Sequence, residues 1–158
     1  MKKSNSFPVV AVHGFMCYGD QELINKVIPT FGFLHCDAAK AITAQGIECY
    51  EPSVGPYTAS WDRACILYAK IKGGRVDYGK AHSEQFGHAR YGAEFKGMIP
   101  SWGTLDENGK RRKINLIAHS FGGPTVMMLI HLLYEGDEQE RNATPESELS
   151  DLFRGGKT

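Results

Sequence analysis

Apolar residues in this chain are gathered into short continuous runs separated by long polar stretches. Ile114-Asn115-Leu116-Ile117-Ala118 reads as a short apolar strand, and Pro8-Val9-Val10-Ala11-Val12 has the length and unbroken character of a strand buried on both faces. Such strands belong to parallel sheets in α/β proteins. Between them, Asp37 to Gln45 reads as a helix with Asp37 near its start and Gly46 as its stop, and Ile47 to Tyr50 as a further strand. After a loop marked by Pro52, Gly55 and Pro56, Ser60 is the expected N-cap of a better helix. Its residues Ala64, Leu67, Tyr68 and Ile71 share one face before Gly73-Gly74 ends it.

Arg75 to Pro100 shows neither helical nor strand periodicity, and Gly79, Gly87, Gly92 and Gly97 punctuate it, so an irregular excursion is expected there. Asp106-Glu107-Asn108-Gly109 is a turn leading back to the second apolar run. That run breaks at His119 to Gly123 and resumes from about Pro124 as a helix. Val126, Met127, Leu129, Ile130, Leu132, Leu133 and Tyr134 cover nearly all its sides, which predicts a helix buried against the sheet, and Gly136 stops it. The tail from Asp137 to Thr158 is polar apart from Leu149, Leu152 and Phe153 and is expected to lack a closing element.

Composition narrows the functional classes. A chain of 158 residues suits one domain with a real core. Eighteen Lys plus Arg balance eighteen Asp plus Glu, which leaves no electrostatic footprint for nucleic acid. The basic cluster from Lys110 to Lys113 reads as a solvated turn. No apolar run reaches the roughly 18 residues of a transmembrane helix. Met1-Lys2-Lys3 begins like a secretory leader, but the apolar run that follows is too short, so no export signal is recognisable and a cytoplasmic location follows for the chain as given. Cys17, Cys36, Cys49 and Cys65 lack metal or redox spacing and read as free thiols.

Candidate chemistry centres on Ala118-His119-Ser120-Phe121-Gly122-Gly123, a strand, a sharp turn and a helix with a serine at the apex. This is the pattern of a nucleophile elbow, where small neighbours allow strand and helix to pass close by. The amide of Phe121, at the helix N-terminus, can donate to an anion forming beside the hydroxyl. The first apolar run ends in His13-Gly14-Phe15, which makes the Phe15 amide the natural second donor. The same residues are also explained by a helix-capping serine and a core histidine in an ordinary strand-end turn. Asp62, His82 and His88 form a nitrogen, nitrogen and oxygen set of the kind zinc accepts. Asp62 is equally explained by the dipole of its own helix, and the histidines by hydrogen bonds to nearby acids.

His13-Gly14-Phe15, Val54-Gly55-Pro56, Trp61-Asp62-Arg63-Ala64, Lys72 to Gly79, Ala81 to Gly92 and Ala118 to Gly123 together resemble the bacterial triacylglycerol lipases of the staphylococcal and thermophilic Bacillus type. The resemblance runs from Val9 to about Gly156. It implies a truncated α/β-hydrolase fold over residues 1–158: a parallel sheet with helices on both faces and an irregular zinc-site insertion at about 75–100. It further implies Ser120 as nucleophile, the amides of Phe15 and Phe121 as oxyanion donors, and Asp62, His82 and His88 as three of four ligands of a structural zinc.

In that family the triad acid and histidine, the fourth zinc ligand, a calcium site and the lid follow the nucleophile. The chain is therefore expected to be the amino-terminal portion of a secreted, lipid-degrading hydrolase, inactive alone, with calcium bound only by full-length relatives. Phe121 replaces the family's usual glutamine or methionine, and Cys17 and Tyr18 also depart from the oxyanion-loop pattern. A lipid or ester is the expected substrate, and an exposed sheet edge is expected to promote self-association. A metal- or partner-binding module derived from a hydrolase, and a serine acyltransferase on the same fold, are the competing functions.

Overall fold

The computed structural model describes residues 7–20, 22–27, 30–33 and 36–156. In chain order the elements are β1 (Val9–Val12), α1 (Leu23–Val27), β2 (Gly32–Phe33), β3 (Cys36–Asp37), α2 (Ala38–Thr43), β4 (Cys49–Tyr50), α3 (Ser60–Lys72), β5 (Gly74–Asp77), α4 (Lys80–Phe86), β6 (Tyr91–Phe95), β7 (Asn115–Ala118), α5 (Gly122–Tyr134), α6 (Glu138–Ala143) and α7 (Asp151–Arg154). They form two compact units, Met1–Tyr57 with Ser101–Gly123, and Thr58–Pro100 with Pro124–Thr158. Among the described residues no helix is long and apolar enough to cross a membrane.

The first unit is built on a parallel sheet of order β4-β1-β7. All four residues of β1 are buried, as a central strand covered on both faces requires. β7 differs: among the described strands it pairs only with β1, and Ile117 is 45% exposed. Because the strands are parallel and Val12 is in register with Ala118, both leave the sheet at the same edge, with His13-Gly14 beside His119-Ser120. Asp37 caps α2 by accepting from the Lys40 amide at 2.9 Å, and Gly46 ends that turn at φ 80. The Asp106 turn is also present, its Oδ1 accepting the amides of Asn108 and Lys110 at 2.8 Å each.

In the second unit α3 buries Ala64, Leu67 and Ile71, together with Arg63, Cys65, Ala69 and Lys70. Its N-cap is Ala59, which has no side-chain bond, so Ser60 is the first helical residue and not the cap. The stretch expected to be irregular is an antiparallel hairpin, β5 with β6, with α4 inserted between its strands. Val76 is the only fully buried residue of the two strands, so no alternation was there to read. The tail is likewise corrected. It holds α6 and α7, capped by Asp137 and Ser150, with Leu149, Leu152 and Phe153 buried. Helices of six and four residues are too short to show a period.

α5 refines a third expectation. Val126, Leu129 and Leu132 are buried, whereas Met127 is 66% and Tyr134 58% exposed and Ile130 is also exposed, so this helix has one covered face.

The two glycines that open α5 differ in their surroundings. A Cβ on Gly122 would overlap the carbonyl oxygen of Val12, whereas one on Gly123 meets nothing within 4 Å. Helix propensity favours alanine at both by about 1 kcal/mol. Gly122→Ala is expected to destabilise the chain by roughly 1–3 kcal/mol through overpacking, and Gly123→Ala to be neutral or stabilising, as read from paired chemical denaturation curves.

Candidate active site and metal centre

Ser120 has φ 53, and Met16, with φ 55, is the only other described non-glycine residue in this left-handed region. A residue with a Cβ held there stores roughly 1–3 kcal/mol of strain, so the surroundings must enforce it. They do so from both sides. The His119 amide donates to Val12 O at 3.1 Å, one residue past the end of β7. The Gly122 amide then reaches back to His119 O and the Gly123 amide to Ser120 O, each at 2.9 Å, winding directly into α5. Gly14 makes room on the β1 side, since a Cβ there would lie 2.9 Å from the Ser120 Cβ. Ser120 is exposed, at the apex of the turn.

Phe15 follows Gly14, and among the described residues its amide donates to no backbone acceptor. Its ring meets Phe121 edge-on at 6.3 Å and Tyr57 at 5.7 Å. The loop is pinned by the Met16 amide, which donates to Pro56 O at 3.0 Å. The Tyr18 phenol is held above its ordinary range chiefly by its hydrogen bond to Tyr57.

His13 is buried in the tautomer that its partners dictate. Nε2 accepts the Val54 amide at 3.0 Å, so the proton sits on Nδ1, 2.9 Å from Gly14 O. Both ring nitrogens are therefore committed to holding the end of β1 against the Val54 loop. The sequence left open a core histidine at this position, and the structure places one there.

Asp62, His82 and His88 are brought together within the second unit, their ligand atoms all within 4.8 Å of one another. Asp62 stands in the first turn of α3. His82 lies in the first turn of α4, with Nε2 3.1 Å from Asp62 Oδ1. α4 ends at Gly87, whose left-handed φ of 71 turns His88 back so that its Nε2 is 4.0 Å from the same oxygen. Nδ1 of His88 lies 3.0 Å from Ala89 O, which favours the proton there and leaves Nε2 as a lone-pair donor. Two ligands about 2.1 Å from one ion in tetrahedral disposition are about 3.4 Å apart. The donor set and its spacing fit a divalent transition metal.

Neighbouring groups narrow the ligand set. Asp77 is fully engaged: Arg90 binds it in a fork, Nε to Oδ1 and Nη2 to Oδ2 at 3.0 Å each, and the Gly79 amide donates to Oδ1 at 2.9 Å. Burial pushes the Cys65 thiol well above its usual range, and the Asp62 carboxylate adds to this, so it stays protonated. Trp61 stacks between His82 and Phe153, at 4.8 and 5.5 Å, and anchors its indole N–H to Tyr78 O at 2.7 Å.

Sequence reasoning missed two features. Met16 carries backbone strain for which residue type gives no signal. Glu140, nearly fully buried, accepts the amides of Ala81 and His82 from 58 residues or more away, and only the unexplained glycine at position 79 hinted at it.

The family described as Lipase-like, C-terminal domain matches residues 5–158. Lipase 2 of Staphylococcus aureus is 38% identical over 156 residues, covering 96% of this chain and 21% of that protein. Among solved structures, lipase 1 from Pelosinus fermentans has a TM-score of 0.89 and 50% identity over 98% of this chain and 39% of its own. EstA from Clostridium botulinum has a TM-score of 0.81 and 43% identity over 96% of this chain and 33% of its own. The chain thus spans about a fifth of the curated relative's length and two-fifths or less of these solved structures. With nearly every residue matched and the Ser120 turn and the Asp62 cluster both folded from the motifs that suggested the kinship, the chain belongs to the lipase-like C-terminal domain family of bacterial lipases.

Proposed function

We propose that this chain carries the nucleophile and oxyanion hole of a carboxylic ester hydrolase acting on lipid esters of the triacylglycerol class, on an α/β-hydrolase scaffold. The observation that carries the reading is the exposed Ser120 at φ 53, with Gly14-Phe15 passing beside it. Left-handed backbone at the apex of a strand-to-helix turn is the strained geometry that presents a nucleophilic hydroxyl above a sheet edge.

In the proposed reaction a histidine takes the Ser120 proton and the hydroxyl oxygen attacks the ester carbonyl. The amides of Phe15 and Phe121 hold the oxyanion while the alcohol leaves, and water then releases the fatty acid from the acyl-serine. Among the described residues His13 has both nitrogens committed, and His82 and His88 belong to the Asp62 cluster. We assign the base and its acid partner to the part of the lipase fold that lies outside these residues. Phe121, directly after the serine, meets Phe15 edge-on, and its bulk is proposed to narrow the space beside the hydroxyl.

The 158 residues alone are expected to show no hydrolysis of a fluorogenic ester above background, since losing the base of such a unit lowers turnover on the order of 10⁶-fold. Joined to the remainder of the fold they should hydrolyse tributyrin, and Ser120→Ala should remove that activity. Saturable hydrolysis by the short chain, abolished by Ser120→Ala, would place the base within these residues.

Asp62, His82 and His88 are proposed to hold a structural zinc, which when bound would cross-link α3 to α4 and stabilise the fold. Titration is expected to saturate at one zinc per chain, with less than one retained after gel filtration, because three ligands leave a position to solvent. His82→Ala should abolish binding. One zinc surviving gel filtration would require a fourth ligand in this chain.

β7 pairs with β1 alone among the described strands and exposes Ile117, so the short chain is proposed to self-associate through that strand. Light scattering should show concentration-dependent association that Ile117→Lys reduces; a monodisperse monomer would refute it.

A further inference from the structure

We propose that Glu140 is a positioning residue for the metal centre: its buried carboxylate holds the first turn of α4, and with it His82, in the metal-binding arrangement. Metal binding and the seating of α6 on α4 then reinforce one another. The inference rests on the reading of Asp62, His82 and His88 as a metal site.

α4 begins without a cap of its own. Its N-cap residue is Gly79, which has no side chain to offer, and the first-turn amides of a helix have no partner within it. Glu140, 1% exposed, supplies what is missing: Oε2 accepts the Ala81 amide at 3.0 Å and Oε1 the His82 amide at 2.7 Å. Hydrogen bonds to an ionised acceptor are short and strong, and the helix N-terminus favours a negative charge there. Gly79 has φ 91, which strains any residue with a Cβ, and a Cβ there would also push the Glu140 carboxylate aside.

Glu140 is itself anchored. Its amide donates to Asp137 Oδ1 at 2.9 Å, and the Asp137 amide donates to Phe153 O at 3.0 Å. A chain of hydrogen bonds therefore runs from α7 through the start of α6 to the backbone of His82. The same residue places Nε2 3.1 Å from Asp62 Oδ1, so any loosening of that turn displaces a metal donor. A glutamine at position 140 keeps the volume but has one acceptor oxygen, and it turns an N–H₂ donor toward a backbone donor.

The probes are zinc chloride by calorimetry and cobalt(II) chloride by visible absorption, titrated into the 158-residue chain. Glu140→Gln should bind zinc about 10-fold or more weakly, the size of effect seen when a group supporting a metal ligand is removed. Circular dichroism should show it folded at the temperature used, and Glu138→Gln, on the exposed side of the same helix, should bind as the unaltered chain does. By linkage, zinc added to the unaltered chain should slow amide exchange across residues 138–143, which do not touch the ion. That second measurement decides the matter if Glu140→Gln does not fold. A purely structural cap would lower the melting temperature of the metal-free chain and leave zinc affinity unchanged. Equal affinity in Glu140→Gln, or unaltered exchange in residues 138–143, overturns the inference alone. No zinc binding by the unaltered chain, or binding that survives His82→Ala, overturns the metal reading and this inference with it.

Discussion

The left-handed turn at Ser120 is the constraint to which the first unit conforms, because a residue with a Cβ holds φ 53 only where its neighbours leave no other path. Those neighbours are backbone. β1 and β7 run parallel in a register that ends both strands at one edge, and Gly14 and Gly122 remove the two side chains that would separate them there. The His119 amide extends the ladder by one bond, and the amides of Gly122 and Gly123 already belong to the helical turn. The serine is left with nowhere to go but up. His13 braces the same edge from beneath, with both nitrogens spent on backbone groups.

The second unit meets a different problem. β5 and β6 have one fully buried side chain between them, so the hairpin cannot be secured by apolar packing. It is secured by polar groups that satisfy each other: the Arg90–Asp77 fork, the Asp77 bond to the Gly79 amide, and the Glu140 carboxylate on the first turn of α4. Buried polar networks of this kind stabilise only when every member is paired, and the pairing also fixes where each side chain points. His82 and His88 are aimed at Asp62 by a helix capped from outside at one end and closed by a left-handed glycine at the other. The orientation of these side chains and the integrity of this segment are therefore the same property.

The two units thus rest on two different solutions. A parallel sheet presents chemistry outside the carboxyl ends of its strands, where the helices that follow begin and leave their first-turn amides free. A polar insertion with little core of its own gains most from a cross-link, and a metal bound by Asp62 of α3, His82 of α4 and His88 just after it would be one. The aromatic rings of Tyr57 and Phe121, the latter directly after the exposed serine, both meet the Phe15 ring edge-on.

Features encoded by local chemistry were legible in the residues alone. The small-residue turn around Ser120, the buried run of β1, the Asp37 cap of α2, the Asp106 turn, and the face of α3 marked by Ala64, Leu67 and Ile71 each depend on neighbours within a few positions. Kinship carried the grouping of Asp62 with His82 and His88, for which spacing by itself was weak. Tertiary structure decided the rest. The β5–β6 hairpin pairs residues 14 or more positions apart on strands too exposed to alternate, α6 and α7 are too short to have a period, and the one-sided burial of α5 depends on what lies over each face. Glu140 reaches His82 across 58 positions, and a buried acid on a polar helix looks in sequence like any solvated one. Composition and periodicity report which groups seek to be buried or paired; which partner each one finds is settled only when distant segments meet.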